Sequence, residues 1–264
     1  MTRRPPILSN KHYDKASAFT PDNLLREARR QKQLQPAQVP EVCVLDPDGD
    51  IVRHLRASGR AARATDWACY HTELWRFEHE SHSYGVIGRA VGASFAVLIA
   101  EELFASGCEL LLSVTSAGQI VASQPPPYFV VIERALRDEG TSYHYLPPSD
   151  YAAAEPELAA AAHRALRAEN IPALTGAAWT TDAPFRETAE AIEAARQAGI
   201  LAVEMEAAAL YAFATARNKP VLCFAHVTNQ MGRVDGDFEK GAADGAEASL
   251  RLIALAAASW RVRR

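Results

Sequence analysis

The chain has 264 residues, 48% of them hydrophobic and 23% charged, which is ordinary for a globular protein and enough to bury a sizeable core. A net charge of −4 and a pI of about 6.1 are too mild to indicate nucleic acid or an anionic membrane as a partner. The four cysteines form no CxxC pair and no apolar run approaches a membrane span, so we expect a soluble, cytoplasmic protein with reduced thiols and no zinc site.

The first predicted elements are a helix and a strand. Thr20-Pro21-Asp22 is typical of a helix start, with threonine as the N-cap and proline at the first helical position. Val42–Leu45 predicts a strand, and Asp46–Asp50 predicts a turn that carries three acids. We expect residues 1–40 to form an N-terminal extension with a short helix and residues 41–264 to form one main domain.

Strands alternate with helices through the rest of the chain. The predicted strands are His71–Glu78, Tyr84–Val91, Leu110–Val114, Tyr128–Ile132, Ala173–Trp179 and Val221–Val227. The predicted helices begin at Ser94, closed by Gly107, and cover Glu155–Glu169, Arg186–Gln197 and Phe238–Trp260. This alternation favours an α/β fold, a single domain with a mixed, mostly parallel central sheet flanked by helices.

The stretch Ile200–Phe213 joins an apolar run to an alanine-rich helical sequence through two acids. Glu204 and Glu206 would share a face on a strand but point about 200° apart on a helix. We interpret the stretch as a buried strand that ends near Glu204 and a helix that begins near Glu206. Such a junction can hold an acid at the mouth of a crevice, where open α/β sheets bind ligands. Alternatively, both acids are solvated residues favoured by the helix dipole.

Small or polar residues follow several predicted strands, and if the strands are parallel these segments can meet in one pocket. The segments are Asp46–Asp50, Ser113–Gly118, Thr180–Arg186, Glu204–Glu206 and Thr228–Met231. The sequence contains no GxGxxG, GxxxxGK[ST], GxSxG or HExxH motif, so dinucleotide, P-loop, serine-hydrolase and zinc-protease sites are not indicated. We therefore expect no organic cofactor and no metal.

Five separated segments carry a further signal. They read SVTSAGQI (Ser113–Ile120), RDEGTSYHYLPP (Arg137–Pro148), TTDAPFRET (Thr180–Thr188), VEMEAAALYAFA (Val203–Ala214) and AHVTNQM (Ala225–Met231). In this order and spacing they resemble the nucleoside phosphorylase family, closest to its uridine-phosphorylase-like branch, over roughly Val42 to Ala257. The resemblance implies a homodimer or homohexamer that cleaves the N-glycosidic bond of a nucleoside. Phosphate is the implied co-substrate, and the implied products are free base and ribose 1-phosphate.

The resemblance also implies roles for the sugar and base sites. Glu206 matches the acid that hydrogen-bonds the ribose hydroxyls, because two vicinal hydroxyls can donate to one carboxylate, and Met205 matches a residue that packs on the sugar. Phe185 lies near the family's base-stacking aromatic, or is a core phenylalanine, and Arg186 faces either the base carbonyls or solvent. The other implied substrate-binding residues are Glu204, Thr115, Ser116, Gly118 and His12, the last reaching a neighbouring subunit or lying free on the surface.

Asn229 stands where purine-cleaving relatives carry an aspartate that protonates the leaving base. An amide can donate a hydrogen bond but cannot deliver a proton at neutral pH. The resemblance therefore implies a uridine-like or 6-oxopurine nucleoside, whose departing anion can be held by hydrogen bonds, with Asn229 and Glu206 as catalytic residues.

The expected phosphate pocket departs from the family pattern. The family uses a Gly-Asp-Pro-x-Arg loop, whereas LDPDGDIVRH here presents Asp46 and Asp48 and displaces Arg53. Ser113 stands where the family has a second arginine. Each close unfavourable charge disfavours phosphate by about 1–4 kcal/mol near a surface.

Two explanations of this departure remain open. Thr115, Ser116 and a re-aimed Arg53 or Arg89 can rebuild a phosphate site, or water can replace phosphate, with Asp46 or Asp48 as its base. The sequence therefore predicts a nucleoside phosphorylase, with a phosphate-independent nucleoside hydrolase as the alternative. A third possibility is a non-catalytic nucleoside-binding homologue.

Overall fold

One ten-stranded sheet runs through the part of the chain that the structure, a computed structural model, describes: residues 5–231, 235 and 237–263. Its strands are β1 (Val42–Asp46), β2 (Ala61–Arg63), β3 (Trp75–His79), β4 (His82–Gly88), β5 (Leu110–Gln119), β6 (Tyr128–Asp138), β7 (Tyr151–Ala153), β8 (Ala173–Thr181), β9 (Ile200–Glu204) and β10 (Val221–Asn229).

The strand order is β10-β6-β8-β9-β5-β1-β4-β3-β2, with β7 added beside β6. Because β10 also pairs with β5, the strands β10, β6, β8, β9 and β5 close on themselves. Parallel pairings join β1 to β4 and β5, β5 to β10, and β8 to β6 and β9, and the remaining pairings are antiparallel. The mixed central sheet predicted from the sequence is confirmed.

Helices flank this sheet. They are α1 (Pro21–Lys32), α2 (Asp50–Ala57), α3 (Ala93–Ala105), α4 (Ser142–Tyr145), α5 (Pro156–Ala168), α6 (Ala189–Gln197), α7 (Ala207–Arg217) and α8 (Ala246–Val262). The first seven residues of α7 are all buried. Its alanines let the helix lie close to the sheet, and the Tyr211 hydroxyl binds β10 by accepting from the backbone N–H of Cys223, 3.0 Å away.

Several predicted boundaries are confirmed. The Thr20 hydroxyl accepts from the backbone N–H of Asn23 at the start of α1, as an N-cap does. Helix α3 ends at Ala105, and Gly107 follows it with a φ of +100°, which glycine adopts readily. All four cysteines are free and buried, as expected for reduced core thiols. The division of the chain at residue 40 stays a prediction.

Other predicted boundaries are wrong. The strand predicted to end at Val114 continues to Gln119, because β5 stays paired with β10 as far as Gly118 and then pairs with β9. The helix predicted from Arg186 begins at Ala189, since Thr188 is its N-cap. The last helix begins at Ala246 rather than Phe238, after a left-handed Gly245.

Among the described residues, no helix combines the length and the apolar character that crossing a bilayer requires.

Candidate functional site

The junction between β9 and α7 has the predicted form, since β9 ends at Glu204 and Glu206 is the N-cap of α7. The Glu204 carboxylate accepts from the backbone N–H groups of Glu206 and Ala207, at 2.7 and 2.8 Å, and from the hydroxyl of Thr180. The same hydroxyl accepts from the N–H of Ala208. Through these contacts Glu204 stabilises the start of α7 and so positions Glu206. Its oxygens already accept hydrogen bonds and are not free for a ligand.

Glu206 is 1% exposed and does not face bulk water. Its Oε1 accepts from the backbone N–H of Gly92 at 2.7 Å, and its buried Oε2 has no hydrogen-bond partner within the described residues. Burial and the charge of Glu204 raise the pKa of Glu206 to about 8, against the opposing effects of the Gly92 N–H and the Thr115 side chain. A buried acid with one unpaired oxygen is an arrangement that a ligand hydroxyl can complete.

A cleft of about 610 Å³ opens beside this junction, at the ends of β5, β9 and β10. This volume lies in the range of small-molecule sites, about 300–1,000 Å³. Predicted residues that line it are Ser116, Gly118, Phe185, Glu204, Met205 and Asn229. The structure therefore brings together residues from four of the five strand-end segments. The Phe185 ring is 99% exposed, on a short 3₁₀ turn at the rim.

Asn229 is fixed by its own hydrogen bonds at the wall of the cleft. Its Nδ2 donates to the backbone oxygen of Ala117 and to the hydroxyl of Thr228, at 3.3 and 3.2 Å, and its Oδ1 accepts from the N–H of Met231. The amide is therefore held in one orientation, and Nδ2 can donate to a ligand only by exchanging one of these bonds.

The acid-rich loop after β1 places one carboxylate against β5. Asp48 accepts from both the backbone N–H and the hydroxyl of Ser116, each at 2.8 Å. The ammonium of Lys240 lies 3.7 Å from Asp48 and 2.6 Å from Asp50. Asp48 is thus the acid of this loop that reaches the segment predicted to hold phosphate or water.

Asp46 has a different position from the one predicted. Its two oxygens accept from the backbone N–H groups of Gly49 and Val52, which fixes the start of α2. Burial raises the pKa of Asp46 to about 7, with Asp48 and Asp50 adding to the rise and the two N–H groups opposing it. This carboxylate is committed to the start of α2, whereas Asp48 is the acid bound to Ser116.

The remaining candidates for the anion site lie away from the cleft. The Arg53 guanidinium binds Asp50 and Asp244, at 2.6 and 2.8 Å, and lines a second cavity together with Arg89. The Ser113 hydroxyl is buried and lacks a hydrogen-bond partner in the described part of the chain. The structure does not bring Arg53 or Ser113 into contact with Ser116.

His12 and Arg186 are exposed on this chain. Sequence reasoning missed Lys240, which binds the acidic loop, and Gly92, whose N–H holds Glu206. Phe238 also lines the cleft and was not predicted, whereas Met231, which lines it too, ends the predicted segment Thr228–Met231. These contacts join residues far apart in the chain, so neither periodicity nor local spacing could indicate them.

A buried, incompletely bonded acid at a strand–helix junction beside an open cleft, on a mixed sheet, is typical of small-molecule sites in α/β proteins. The profile described as the phosphorylase superfamily matches residues 21–259, and the chain belongs to this nucleoside phosphorylase family.

Known proteins similar to the chain agree with this assignment. A DeoD-type purine nucleoside phosphorylase of Dichelobacter nodosus is 26% identical over 163 residues, 59% of this chain and 67% of that protein. A uridine phosphorylase of Vibrio fischeri ES114, complexed with 6-hydroxy-1-naphthoic acid, superposes with a TM-score of 0.68 at 20% identity, covering 89% of this chain and 94% of that one. A second structure of the uridine phosphorylase of V. fischeri ES114 has a TM-score of 0.69 at 19% identity, covering 89% and 95%. The structural likeness shows the shared fold.

Proposed function

We propose that the chain cleaves the N-glycosidic bond of a nucleoside, with Glu206 binding the ribose hydroxyls. The buried Glu206 carboxylate is the observation that carries the proposal. Its Oε2 has no hydrogen-bond partner within the described residues, and the preceding residue in the chain, Met205, lines the cleft. A ribose hydroxyl that donates to this oxygen would satisfy it, and the second hydroxyl can reach the same carboxylate.

The charge of this carboxylate also suits the reaction. Breaking the bond between C1′ and the base nitrogen leaves the electron pair on the base and a cationic, oxocarbenium-like sugar. Negative charge close to the sugar stabilises that transition state. Because the pKa of Glu206 is raised to about 8, it must lose its proton to accept from two hydroxyls, so nucleoside binding should strengthen as the pH rises towards 8.

The base site favours a uridine-like or 6-oxopurine base. The Asn229 amide can donate to a departing base but cannot protonate it. Phe185 at the rim is free to stack on a base, because its ring packs against little of the protein. Arg186, next to it on the same turn, remains a candidate for contact with the base carbonyls.

Phosphate is the nucleophile that family membership favours. The N–H and hydroxyl of Ser116 form a pair of donors suited to an anion, and the carboxylate of Asp48 accepts from both. Phosphorolysis therefore requires Asp48 to leave Ser116, and the nearby Lys240 ammonium is able to receive it.

A second candidate is hydrolysis, and the same contact favours it. A carboxylate fixed beside the sugar site disfavours a dianion but can accept a proton from water as the water oxygen bonds to C1′. Asp48 is then the general base, and the products are the free base and ribose.

Incubating the pure protein with uridine, inosine and adenosine, with and without phosphate, tests the proposal. Base release measured by chromatography that requires phosphate and yields ribose 1-phosphate supports phosphorolysis, and release that ignores phosphate supports hydrolysis. Binding of a nucleoside without any turnover, seen as a rise in melting temperature, would instead support a non-catalytic nucleoside-binding role.

We also propose that the chain acts in the cytoplasm as a homodimer or homohexamer, in which His12 reaches a neighbouring sugar site. Light scattering on the purified protein measures the assembly. A monomer that retains full turnover would rule out any role for His12 across an interface.

A further inference from the structure

A buried carboxylate on α3 lies outside the lining of the cleft and has no strong hydrogen-bond donor against it in the described part of the chain. Glu102 is 1% exposed, and neither of its oxygens accepts a hydrogen bond of ordinary geometry within the described residues. Burial raises its pKa, and the nearby Cys69 thiol, the His71 ring and Lys32 oppose the rise. Its neighbour Glu101 has an ordinary surface role, since it accepts from the Tyr145 hydroxyl and the Arg217 guanidinium. Buried charges in proteins are paired or coordinate metals, so Glu102 needs an explanation.

The groups in front of Glu102 are a cysteine and a histidine from the loop between β2 and β3. The Nδ1 of His71 lies 3.9 Å from the Sγ of Cys69 and 4.0 Å from the Oε1 of Glu102. The ligand atoms of all three residues lie within 4.8 Å of one another. Cys69 and Glu102 are buried, whereas the side chain of His71 is 46% exposed, so the cluster has one side open to solvent.

The surroundings of Cys69 present hydrogen-bond donors to its sulfur. The Trp67 indole N–H, which can only donate, binds the hydroxyl of Thr72, so the proton of that hydroxyl is directed to Sγ at 3.3 Å. The backbone N–H of His71 also donates to Sγ, at 3.3 Å. Burial raises the pKa of Cys69 and Glu102 adds to the rise, while the Thr72 hydroxyl and the His71 N–H oppose it. The same two donors remain available to a metal-bound sulfur.

Helix α1 holds this loop in place. The Lys32 ammonium donates to the backbone oxygens of Ala68 and Cys69, at 2.9 and 2.6 Å. The thiol is therefore presented to α3 by a braced segment rather than by a loose surface loop.

We propose that Cys69, His71 and Glu102 bind a divalent transition-metal ion of the Zn²⁺ class, with water as the fourth ligand. Tetrahedral zinc with one sulfur, one nitrogen and one oxygen ligand holds those atoms roughly 3.4–3.6 Å apart. The separations of 3.9 and 4.0 Å must shorten by roughly half an ångström, which the half-exposed His71 ring can supply. The two anionic ligands balance the charge of the ion.

The sequence predicts no zinc site because it has no CxxC pair, but that argument would miss a site of this kind, whose third ligand comes from a distant helix. The ion would tie the 69–73 loop to α3. This metal site does not depend on the proposed cleavage activity, since none of the three ligands lines the nucleoside cleft.

Titrating chelator-treated protein with Co²⁺ and then Zn²⁺ tests the site. We expect one Co²⁺ per chain, a thiolate-to-cobalt charge-transfer band, displacement by Zn²⁺, and a rise in melting temperature on adding Zn²⁺. Cys69→Ser and His71→Ala should weaken binding by at least about tenfold and remove the thiolate band or alter it. Glu102→Gln should abolish the Zn²⁺-dependent rise while leaving the metal-free protein at least as stable, because it removes a buried carboxylate.

Cys108→Ser and His82→Ala, a buried cysteine and an exposed histidine outside the cluster, are the matched controls and should bind Co²⁺ like the wild type. If Cys69→Ser fails to fold, His71→Ala still tests the site, because His71 is half-exposed and its replacement should leave the fold intact. A Co²⁺ complex without a thiolate band, equal binding by Glu102→Gln, or no uptake at all would overturn the proposal.

Discussion

Asp48 and Ser116 are joined by two hydrogen bonds of 2.8 Å, in which the N–H and the hydroxyl of Ser116 both donate to the Asp48 carboxylate. The chain thereby places its own anion on two donors of the segment that resembles the phosphate-binding part of the family. Under the proposed phosphorolysis, an incoming phosphate would meet both an occupied pair of donors and a like charge, so Asp48 is the residue that distinguishes phosphate from water as the nucleophile.

Replacing Asp48 distinguishes attack by phosphate from attack by water, because the variant should gain activity in the first case and lose it in the second. If phosphate attacks the sugar, Asp48→Ala frees Ser116 and removes a repulsive charge, and the KM for phosphate should fall by about fivefold or more. If water attacks, the same variant loses its general base and kcat should fall by about 10²–10⁴-fold.

Steady-state kinetics at several phosphate concentrations measures both outcomes. Asp14→Ala, which removes an exposed acid near the N-terminus, is the control and should behave like the wild type. Wild-type kinetics for Asp48→Ala in both assays would remove Asp48 from the mechanism.

The raised pKa of Glu206 should make the protein less stable as the pH rises. The folded protein holds the Glu206 proton up to about pH 8, whereas the unfolded chain releases it near the ordinary value of 4.5. The free energy of unfolding should therefore fall between these pH values, by up to about 1.4 kcal/mol per pH unit for this one proton.

Urea denaturation of the wild type and of Glu206→Gln from pH 5 to 8 measures this slope. Below pH 7 the variant should lose about half of the slope or less, because Asp46 and Glu204, whose pKa values burial raises to about 7 and about 6, also contribute there. Above pH 7 it should lose most of the slope. The control Glu78→Gln, an exposed site on β3, should retain the wild-type slope. An unchanged slope in Glu206→Gln would mean that Glu206 is ionised in the folded protein.

The β9–α7 junction could be predicted from the sequence because its signal is local. An apolar run followed by two acids and four helix-forming residues fixes a strand end and a helix start, and the structure has both. The predicted end of β5 at Val114 was wrong because the small, polar residues that follow it are typical of the end of a strand. The pairing of β5 with β10 and β9 overrides that local preference.

The contacts of the acidic loop Asp46–Asp50 could not be predicted, because they join residues that lie far apart in the chain. Asp46 and Asp48 are equivalent in the sequence, yet one fixes α2 and the other reaches Ser116. Likewise, nothing near Lys240 in the sequence indicates that it binds Asp50. Such pairings follow from the strand order, which brings residues distant in the chain to the same end of the sheet.

Gly245 should tolerate no side chain. Its φ is +80°, and a Cβ there would lie 2.3 Å from the Cε1 of His226, a buried ring stacked on Phe129. Burial lowers the pKa of His226 to about 4, so the ring is neutral at pH 7 and has no charge to draw it into water.

Gly245→Ala should therefore destabilise the protein by about 2–4 kcal/mol, from left-handed strain and overpacking together. Gly199→Ala is the matched control, because its φ is +72° but no atom lies within 4 Å of the position that a Cβ would take there. It should lower the free energy of unfolding by only about 1–2 kcal/mol. Equal losses in urea denaturation would show that His226 moves aside.

Binding of the sugar by the Glu206 carboxylate underlies the proposed activity, and nucleoside cleavage by Glu206→Gln is its sharpest test. Glutamine keeps the shape of the side chain but offers only one acceptor oxygen and no negative charge. We expect kcat/KM for the preferred nucleoside to fall by about 10²–10³-fold in this variant while Glu78→Gln stays at the wild-type value. Wild-type cleavage by Glu206→Gln, or a wild-type protein that neither binds nor cleaves any nucleoside, would show that Glu206 does not have this role.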